Sequence, residues 1–376
     1  MWKMSPSKLS TFLLISAQTA GFILMIIKLN FNPTPVLSTP EQSQLLIISS
    51  WRSGSSFTGQ LFSQHPDVFY MMEPAWHVWA QIDGNIDVLH MAVRDLLRSV
   101  FHCDMSVYDA YMPEQKNKSH LFQWETSRAL CSPPACYSFE RSDIIPQLSC
   151  KVLCAKYPFD TIQKACKTYN HIVVKEVRIF DYKVLYPLLQ DPSLNLRILH
   201  LVRDPRAIFQ SRMKVTSALS RDNNIILKGI KGDKQDIPYK AIERICKSQT
   251  QIYETASFGI HVKLHKRYMM VRYEDIVQDP LGKVREMYEF AKLRFTPKLE
   301  DWIHDMTHGK GNGPNFVISS RDAINTSRAW RTALPFESVQ RVQNICREAM
   351  TMFGYKMLQN EDEQKDLYLD SVGSLS

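Results

Sequence analysis

Four short runs stand out of the polar background as near-continuous apolar stretches: Gln44–Ser50 (QLLIISS), His171–Val177 (HIVVKEV), Leu196–Val202 (LRILHLV) and Tyr268–Tyr273 (YMMVRY). Runs of this length suit β-strands covered on both faces, as in a parallel sheet. Between them the period changes to three and four. Leu89, Ala92, Val93, Leu96, Leu97, Val100 and Phe101 form one apolar stripe, the mark of an amphipathic helix. Similar patterns run through Tyr239–Thr255, Leu281–Leu293 and Pro335–Phe353. Strands alternating with helices predict an α/β, doubly wound, parallel-sheet domain over residues 45–376. In such sheets ligands gather at the carboxyl ends of the strands, so the loops there are where chemistry is expected.

A fifth apolar stretch is of another kind. Leu9–Ile27 runs nineteen residues without a charge, roughly what a helix needs to cross a ~30 Å hydrocarbon core. Lys3 and Lys8 precede it, and Lys28 is the only charge close behind. The positive-inside bias makes residues 1–8 a cytoplasmic tail, 9–28 a transmembrane signal-anchor and the remainder lumenal. A cleaved signal peptide is the alternative, but the run is long for one and no small-x-small site ends it. Residues 29–44, with Pro33, Pro35 and Pro40, read as an extended stem.

Composition narrows the class. Hydrophobic residues make up 44% of the 376 and charged residues 22%, which excludes wholesale disorder and collagen-like architecture. The net charge of +8 favours an anionic ligand. No Lys/Arg-rich run of five occurs, so no nucleic-acid partner is expected. All eight cysteines (Cys103, Cys131, Cys136, Cys150, Cys154, Cys166, Cys246, Cys346) follow the anchor, as suits an oxidising lumen. Cys131-x4-Cys136 and Cys150-x3-Cys154 admit a zinc reading, but the gaps do not repeat as in a zinc ribbon, and disulfides of undetermined pairing are preferred. Asn117-Lys-Ser and Asn325-Thr-Ser are glycosylation sequons.

The loop after the first strand reads Trp51-Arg52-Ser53-Gly54-Ser55-Ser56-Phe57, followed by a helix-compatible stretch to Gln64. A strand, a small-residue turn and a helix N-terminus together present N–H groups and a positive dipole end to a phosphate. Gly54 permits the turn and Arg52 adds a fixed charge. Gly54-x4-Gly59 has Walker A glycine spacing, but Gln60-Leu61 stands where Lys-Ser/Thr is needed, which argues against ATP or GTP hydrolysis. The loop after the third run reads Arg203-Asp204-Pro205-Arg206-Ala207-Ile208-Phe209-Gln210-Ser211-Arg212. Asp204 as cap and Pro205 as first residue mark a helix start. Arg203 and Ser211 can converge on a second anion; the bland alternative pairs Arg203 with Asp204 and leaves a solvated helix. Two anion-ready loops fit a ligand with two separated phosphates.

These residues carry a resemblance. Arg52-Ser-Gly-Ser-Ser resembles the 5′-phosphosulfate loop of Golgi carbohydrate sulfotransferases, and Arg203 to Ser211 resembles their 3′-phosphate element. Tyr273-Glu274-Asp275-Ile276 with Asp279-Pro280 is similar to a segment shared more widely among sulfotransferases. SSWRSGSSF, QHPDVFYMMEPAWHVW, FQWETSRALCSPPAC, NLRILHLVRDPRA and SRAWRTALPF resemble the N-acetylglucosamine 6-O-sulfotransferase branch, in particular its corneal, intestinal and high-endothelial members. The likeness departs at Asp305-Met-Thr, where relatives often carry a sequon, and in Ser217–Tyr239. It implies a P-loop-like sulfotransferase fold and the co-substrate PAPS (3′-phosphoadenosine 5′-phosphosulfate), with Trp51–Phe57 and Arg203–Ser211 binding it. It also implies GlcNAc-terminated glycans as acceptors, on glycoproteins or proteoglycans, and a Golgi membrane location. The oligomeric state is left open, a homo-oligomer included.

Sulfuryl transfer needs in-line geometry, stabilisation of charge on the leaving oxygen and a base for the attacking hydroxyl. Arg52 is the expected charge stabiliser. Glu73, in Met72-Glu73-Pro74-Ala75-Trp76, is the first candidate base, weighed almost evenly against a core Glu–Arg pair. Glu176 is the second candidate base, and Lys175 or Arg178 is expected to orient the acceptor. Trp330-Arg331 loosely resembles a nucleotide-closing Trp-Lys. His65, His77 and His200 are weaker candidates, and Trp76 and Trp79 can stack on a sugar or belong to the core. The mechanism demands no metal, and no His/Asp/Glu cluster suggests one. The rivals are a glycosyltransferase, of a metal-independent type because the chain has no Asp-x-Asp, and a non-enzymatic membrane lectin.

Overall fold

A computed structural model describes residues 42–229, 233, 235–309, 320 and 322–374. The expected tail, the expected span and nearly all of the stem lie outside the described residues. Among those described, no helix is long and apolar enough to cross a membrane.

Five parallel strands form the sheet: β1 (Ser43–Ile48), β2 (Val68–Met72), β3 (His171–Glu176), β4 (Asn195–Val202) and β5 (Tyr268–Arg272), in the order β2-β3-β1-β4-β5. Four match the predicted apolar runs to within two residues at either end. The fifth, β2, was not among them. Its sequence VFYMM is apolar and buried throughout, but so short a run without alternation cannot be told from a buried helical segment by periodicity alone. Flanking the sheet are α1 (Ser55–Ser63), α2 (Ile86–Phe101), α3 (Pro205–Met213), α4 (Ser220–Ile226), α5 (Ile237–Phe258), α6 (Pro280–Ala291), α7 (Pro297–Thr307) and α8 (Phe336–Ile345).

Alternation along β1 divides the interior in two. Leu46 and Ile48 face a core shared with the apolar stripe of α2 and with Ile242, Ile245 and Ile252 of α5. Leu45 and Ile47 face the other core, filled by Leu61 and Phe62 of α1 and by residues of α6 and α7. The sheet is thus covered on both faces, which is why its strands read as unbroken apolar runs. The predicted helix over Pro335–Phe353 is broken. α8 ends at Ile345 and a second short helix, Arg347–Met352, follows. Cys346, at the break, is disulfide-bonded to Cys246 of α5.

The other bridges are Cys103–Cys166, Cys131–Cys150 and Cys136–Cys154. They staple a stretch between α2 and β3 made of short 3-10 segments and two short α-helices, Gln147–Cys154 and Asp160–Cys166, to one another and to the end of α2. With all eight cysteines bridged, the zinc reading loses its ligands.

β1 is the point where the topology reverses. The chain leaves it towards β2 and β3 on one side and reaches β4 and β5 on the other. Crevices form at such points, at the carboxyl ends of the strands. Register sets what emerges there: Ile48 lies opposite Glu176 on β3 and His200 on β4, while Met72 lies opposite Lys175.

Candidate active site

Beyond β1 the chain makes two left-handed steps, at Arg52 (φ 72°) and Gly54 (φ 86°), and enters α1. Arg52 adopts that conformation despite its side chain, a strain that locates functional loops. Gly54 has a double reason to be glycine, because a Cβ there would also come within 2.3 Å of the Tyr273 ring. The loop is pinned by the Ser49 hydroxyl donating to Leu201 O (2.7 Å) and by a Ser50–Ser53 hydroxyl pair at 2.6 Å. No side chain caps α1, so its first-turn N–H groups, those of Ser55, Ser56 and Phe57, point into the loop. An uncapped N-terminus with this dipole direction suits an anion.

The loop after β4 meets it. Asp204 caps α3 by accepting from Arg206 N (2.9 Å), and Pro205 occupies the first turn. The Arg203–Asp204 pair of the bland reading does not form. Asp204 instead grips the Arg206 guanidinium (2.7 Å). Arg203 is thereby left to donate to Arg52 O (3.0 Å) and Thr326 O (3.2 Å), over the face of Tyr273 at 4.5 Å. Its Nε has no partner in the structure. Arg52 Nε donates to Ser211 Oγ (2.9 Å), so the two phosphate-type loops touch directly. The rest of the 203–211 stretch is framework. Arg206 is fully buried, bonded to Gln343 Oε1 (2.9 Å) and Lys356 O (3.0 Å) and stacked on Trp330. Ala207, Ile208 and Phe209 are core residues and Gln210 is buried beside them.

A different construction occupies the ends of β2 and β3. Glu73 follows β2 with φ 45°. Its Oε1 accepts from Lys175 Nζ and its Oε2 from Arg178 Nη1 (2.7 Å). Burial alone would raise its pKa, but the charges and hydrogen bonds of Lys175 and Arg178 outweigh it and bring the carboxyl down to about 2. Glu176 goes the other way. Burial and the nearby Glu73 charge, only partly offset by Arg178, raise it to about 7. Its Oε1 accepts from Ala75 N at 2.6 Å and its Oε2 from Val177 N at 3.2 Å. Glu73 and its core arginine are therefore paired, and the second candidate base is the carboxyl that titrates near neutrality.

Trp51 joins the halves. The Arg178 guanidinium lies 5.7 Å from the Trp51 and Trp79 ring centres, and that of Arg212 lies 5.8 Å from Trp51. Trp51 and Trp79 meet edge to face at 5.7 Å. Trp79 is thus a core residue, whereas Trp76 is exposed and stacked on Phe122 at 5.0 Å.

The remaining candidates are bound into the framework. Burial drives His77 and His200 down to about 4 and lowers His65. All three have hydrogen-bond partners within the framework: Phe122 N, the Tyr268 hydroxyl with Gln249, and Arg294 O respectively. Arg331 is buried and donates to the carbonyls of Glu363, Gln364, Asp366 and Leu369, tying down the C-terminal segment rather than facing the Arg52 loop. Asn117 and Asn325 are exposed; Thr326 of the second sequon supplies the carbonyl that holds Arg203. Among the described residues no cluster of metal-ligating side chains occurs.

Sequence reasoning gave no role to Tyr273, Glu274 or Asp222. Glu274 accepts from Asp204 N (3.1 Å) and the Tyr355 hydroxyl (2.8 Å), steadying the loop after β4. The placement of Tyr273-Glu274 directly after a strand was the available signal for the first two. Asp222 had none.

Comparison with known proteins agrees with this geometry. The sulfotransferase domain model matches residues 42–354. Carbohydrate sulfotransferase 6 of Homo sapiens is 50% identical over 99% of this chain and 95% of its own length, and human carbohydrate sulfotransferase 5 is 50% identical over 99% and 92%. Carbohydrate sulfotransferase 4 of Mus musculus is 50% identical over 90% and 89%. With a phosphate-type loop after β1, a second after β4 and this level of identity along its length, the chain belongs to the sulfotransferase domain family, among the carbohydrate sulfotransferases.

Proposed function

We propose that this protein transfers the sulfuryl group of PAPS to the 6-hydroxyl of N-acetylglucosamine in glycan chains. The observation that carries the reading is the Arg52–Ser211 contact. It closes two anion-ready loops into one site beside the Glu73–Lys175–Arg178 cluster. The donor set fits a ligand with two phosphate groups: uncapped N–H groups on α1, two guanidinium groups and a serine hydroxyl, with Arg203 Nε unpartnered.

PAPS supplies an activated sulfuryl group, whose departure leaves negative charge on the 5′-phosphate oxygen. The α1 N–H groups and Arg52 stabilise that charge where it develops. Arg203 and Ser211 hold the 3′-phosphate and fix the register. On the other side Glu73, ionised across the working range and held at about 2 by Lys175 and Arg178, takes the acceptor's proton late, once the forming oxygen–sulfur bond has made that hydroxyl strongly acidic and the bridging bond is breaking. Protonated Glu73 no longer neutralises Lys175, whose buried ammonium then adds positive charge behind the site. Trp76, exposed at the mouth of this region, supplies an aromatic face for a sugar. The apolar run Leu9–Ile27 supports anchorage in the Golgi membrane with the catalytic domain in the lumen.

The test is transfer of radiolabelled sulfate from PAPS to GlcNAc-terminated and galactose-terminated oligosaccharides, with the position of the product sulfate determined. Label on the GlcNAc 6-oxygen supports the reading. Label on galactose, or none from a folded protein, overturns it.

A further inference from the structure

Three consecutive residues of α4 contact three neighbouring segments, only the second of them within the charge cluster. Arg221 donates to Trp79 O (3.0 Å) and Ala80 O (2.6 Å), on the segment that follows Glu73. Asp222 lies 3.4 Å from Arg178 Nη2. Asn223 accepts from Arg212, the neighbour of Ser211. The middle contact bears on the chemistry. Arg178 spends one blade of its guanidinium on Glu73 Oε2 at 2.7 Å and the other on Asp222, and its Nε has no partner in the structure. Its side chain is 4% exposed, and those of Glu73 and Asp222 are 11% and 13% exposed. Water therefore does little to screen the exchange.

We propose that Asp222 is a positioning residue for sulfuryl transfer, acting through Arg178 to keep Glu73 singly bonded to that arginine and able to take a proton. The inference rests on Glu73 being the base of the proposed reaction. A guanidinium is a planar fork that prefers to grip a carboxylate with two parallel N–H groups. With Asp222 in place, one prong is committed elsewhere, and Glu73 keeps lone pairs for the acceptor hydroxyl. Without the Asp222 charge, Arg178 keeps at most a neutral acceptor on that prong, Glu176 is engaged by the N–H groups of Ala75 and Val177, and Glu73 is the carboxylate it already holds. Arg178 then turns towards a two-pronged grip, which shifts the carboxylate and weakens it as a base. Loss of a negative charge near Glu73 acts in the same direction.

The test compares Asp222→Asn, Asp222→Glu and Arg221→Ala with the full wild-type chain, reading kcat, the KM for PAPS and the melting temperature. Asp222→Asn keeps the shape and removes the charge. It is expected to lower kcat by ~10²-fold, the size of effect that a small misplacement of a reacting group produces, with the KM for PAPS unchanged. Asp222→Glu restores most of kcat. Arg221→Ala removes the clasp of the same helix without touching the charge chain and lowers the melting temperature while leaving kcat near wild type. Wild-type kcat in Asp222→Asn would overturn the proposal, as would equal loss of kcat in Arg221→Ala or no recovery in Asp222→Glu. A wild-type chain that transfers no sulfate defeats the proposed function itself; an active wild type with an active Asp222→Asn variant defeats only this inference.

Discussion

The two sides of the β1 crevice are built from different materials. On the β4 side, ligand-facing groups are mostly backbone N–H groups, one serine and arginines near the chain turns that present them: Arg52 and Gly54 in left-handed conformations, the uncapped start of α1, Arg203 at a strand end. The β2–β3 side also has a left-handed residue, Glu73 at φ 45°, but it presents no helix N-terminus to the ligand. The groups are side chains brought together over about a hundred residues: Glu73 with Lys175 and Arg178, then Asp222 from a helix beyond β4. The first side is set by local conformation and needs particular residues at particular turns. The second is set by charge balance in a buried place, where each group fixes the ionisation of the next. Binding of the donor belongs to the first side and proton transfer to the second.

Substitutions on either side break that comparison in different ways. The largest expected effect is that of Glu73→Gln, which removes the base and lowers kcat by ~10³-fold, within the usual range for a general base. Steady-state kinetics at saturating PAPS measure it. The same variant leaves Lys175 and Arg178 buried without their anion, so its unfolding midpoint also falls. Arg52→Ala follows, at about 10²-fold in kcat/KM, here with weakened nucleotide binding. Gly54→Ala strikes the backbone rather than a charge. A left-handed alanine costs about 1–2 kcal/mol, and its Cβ must displace Tyr273. The affinity for PAPS should drop ~10-fold, the middle of that cost, with kcat at saturation little changed. Smallest in activity is the double change Cys246→Ser with Cys346→Ser, distant from both loops. It leaves kcat unchanged and lowers stability by about 2–5 kcal/mol in urea unfolding.

Acid titration separates the carboxylates by sign. Glu73 titrates at about 2 when folded, below its ordinary 4.5, so its contribution to stability is present above pH 4.5 and is lost as pH falls towards 2. Glu176 titrates at about 7, above 4.5, so its contribution is full below pH 4.5 and is lost as pH rises through 7. Relative to wild type, Glu73→Gln should flatten the acid arm of a stability–pH curve, and Glu176→Gln the arm between pH 4.5 and 7. Urea midpoints across that range measure both.

The same contrast explains what could be read from the chain. Four of the five strands announce themselves as apolar runs because both faces of the sheet are covered, whereas β2, also a short apolar run, carries no period that separates a strand from a buried helical segment. The loops after β1 and β4 are legible because turns and helix starts need Gly54, Asp204 and Pro205, and those types carry a signature. Arg206 looked like a ligand because it lies in such a loop, and Arg331 because Trp330-Arg331 resembles a nucleotide-closing pair, but their partners, Asp204 with Gln343 and the C-terminal carbonyls, are set by tertiary packing. The charge chain was only half visible. Glu73 and Glu176 could be named as candidates, but which is paired and which titrates near neutrality depends on the placement of Lys175, Arg178 and Asp222. No local pattern marks Asp222, since its partner lies 44 residues away in another element.

The division of labour across the crevice is tested most directly by calorimetric titration of PAP, the desulfated nucleotide, into folded Glu73→Gln and Arg52→Ala proteins. The account predicts that Glu73→Gln binds PAP as the wild type does while transferring sulfate ~10³-fold more slowly, and that Arg52→Ala binds it weakly. Weak binding by Glu73→Gln, or wild-type binding by Arg52→Ala, would show that the two sides do not divide donor binding from proton transfer.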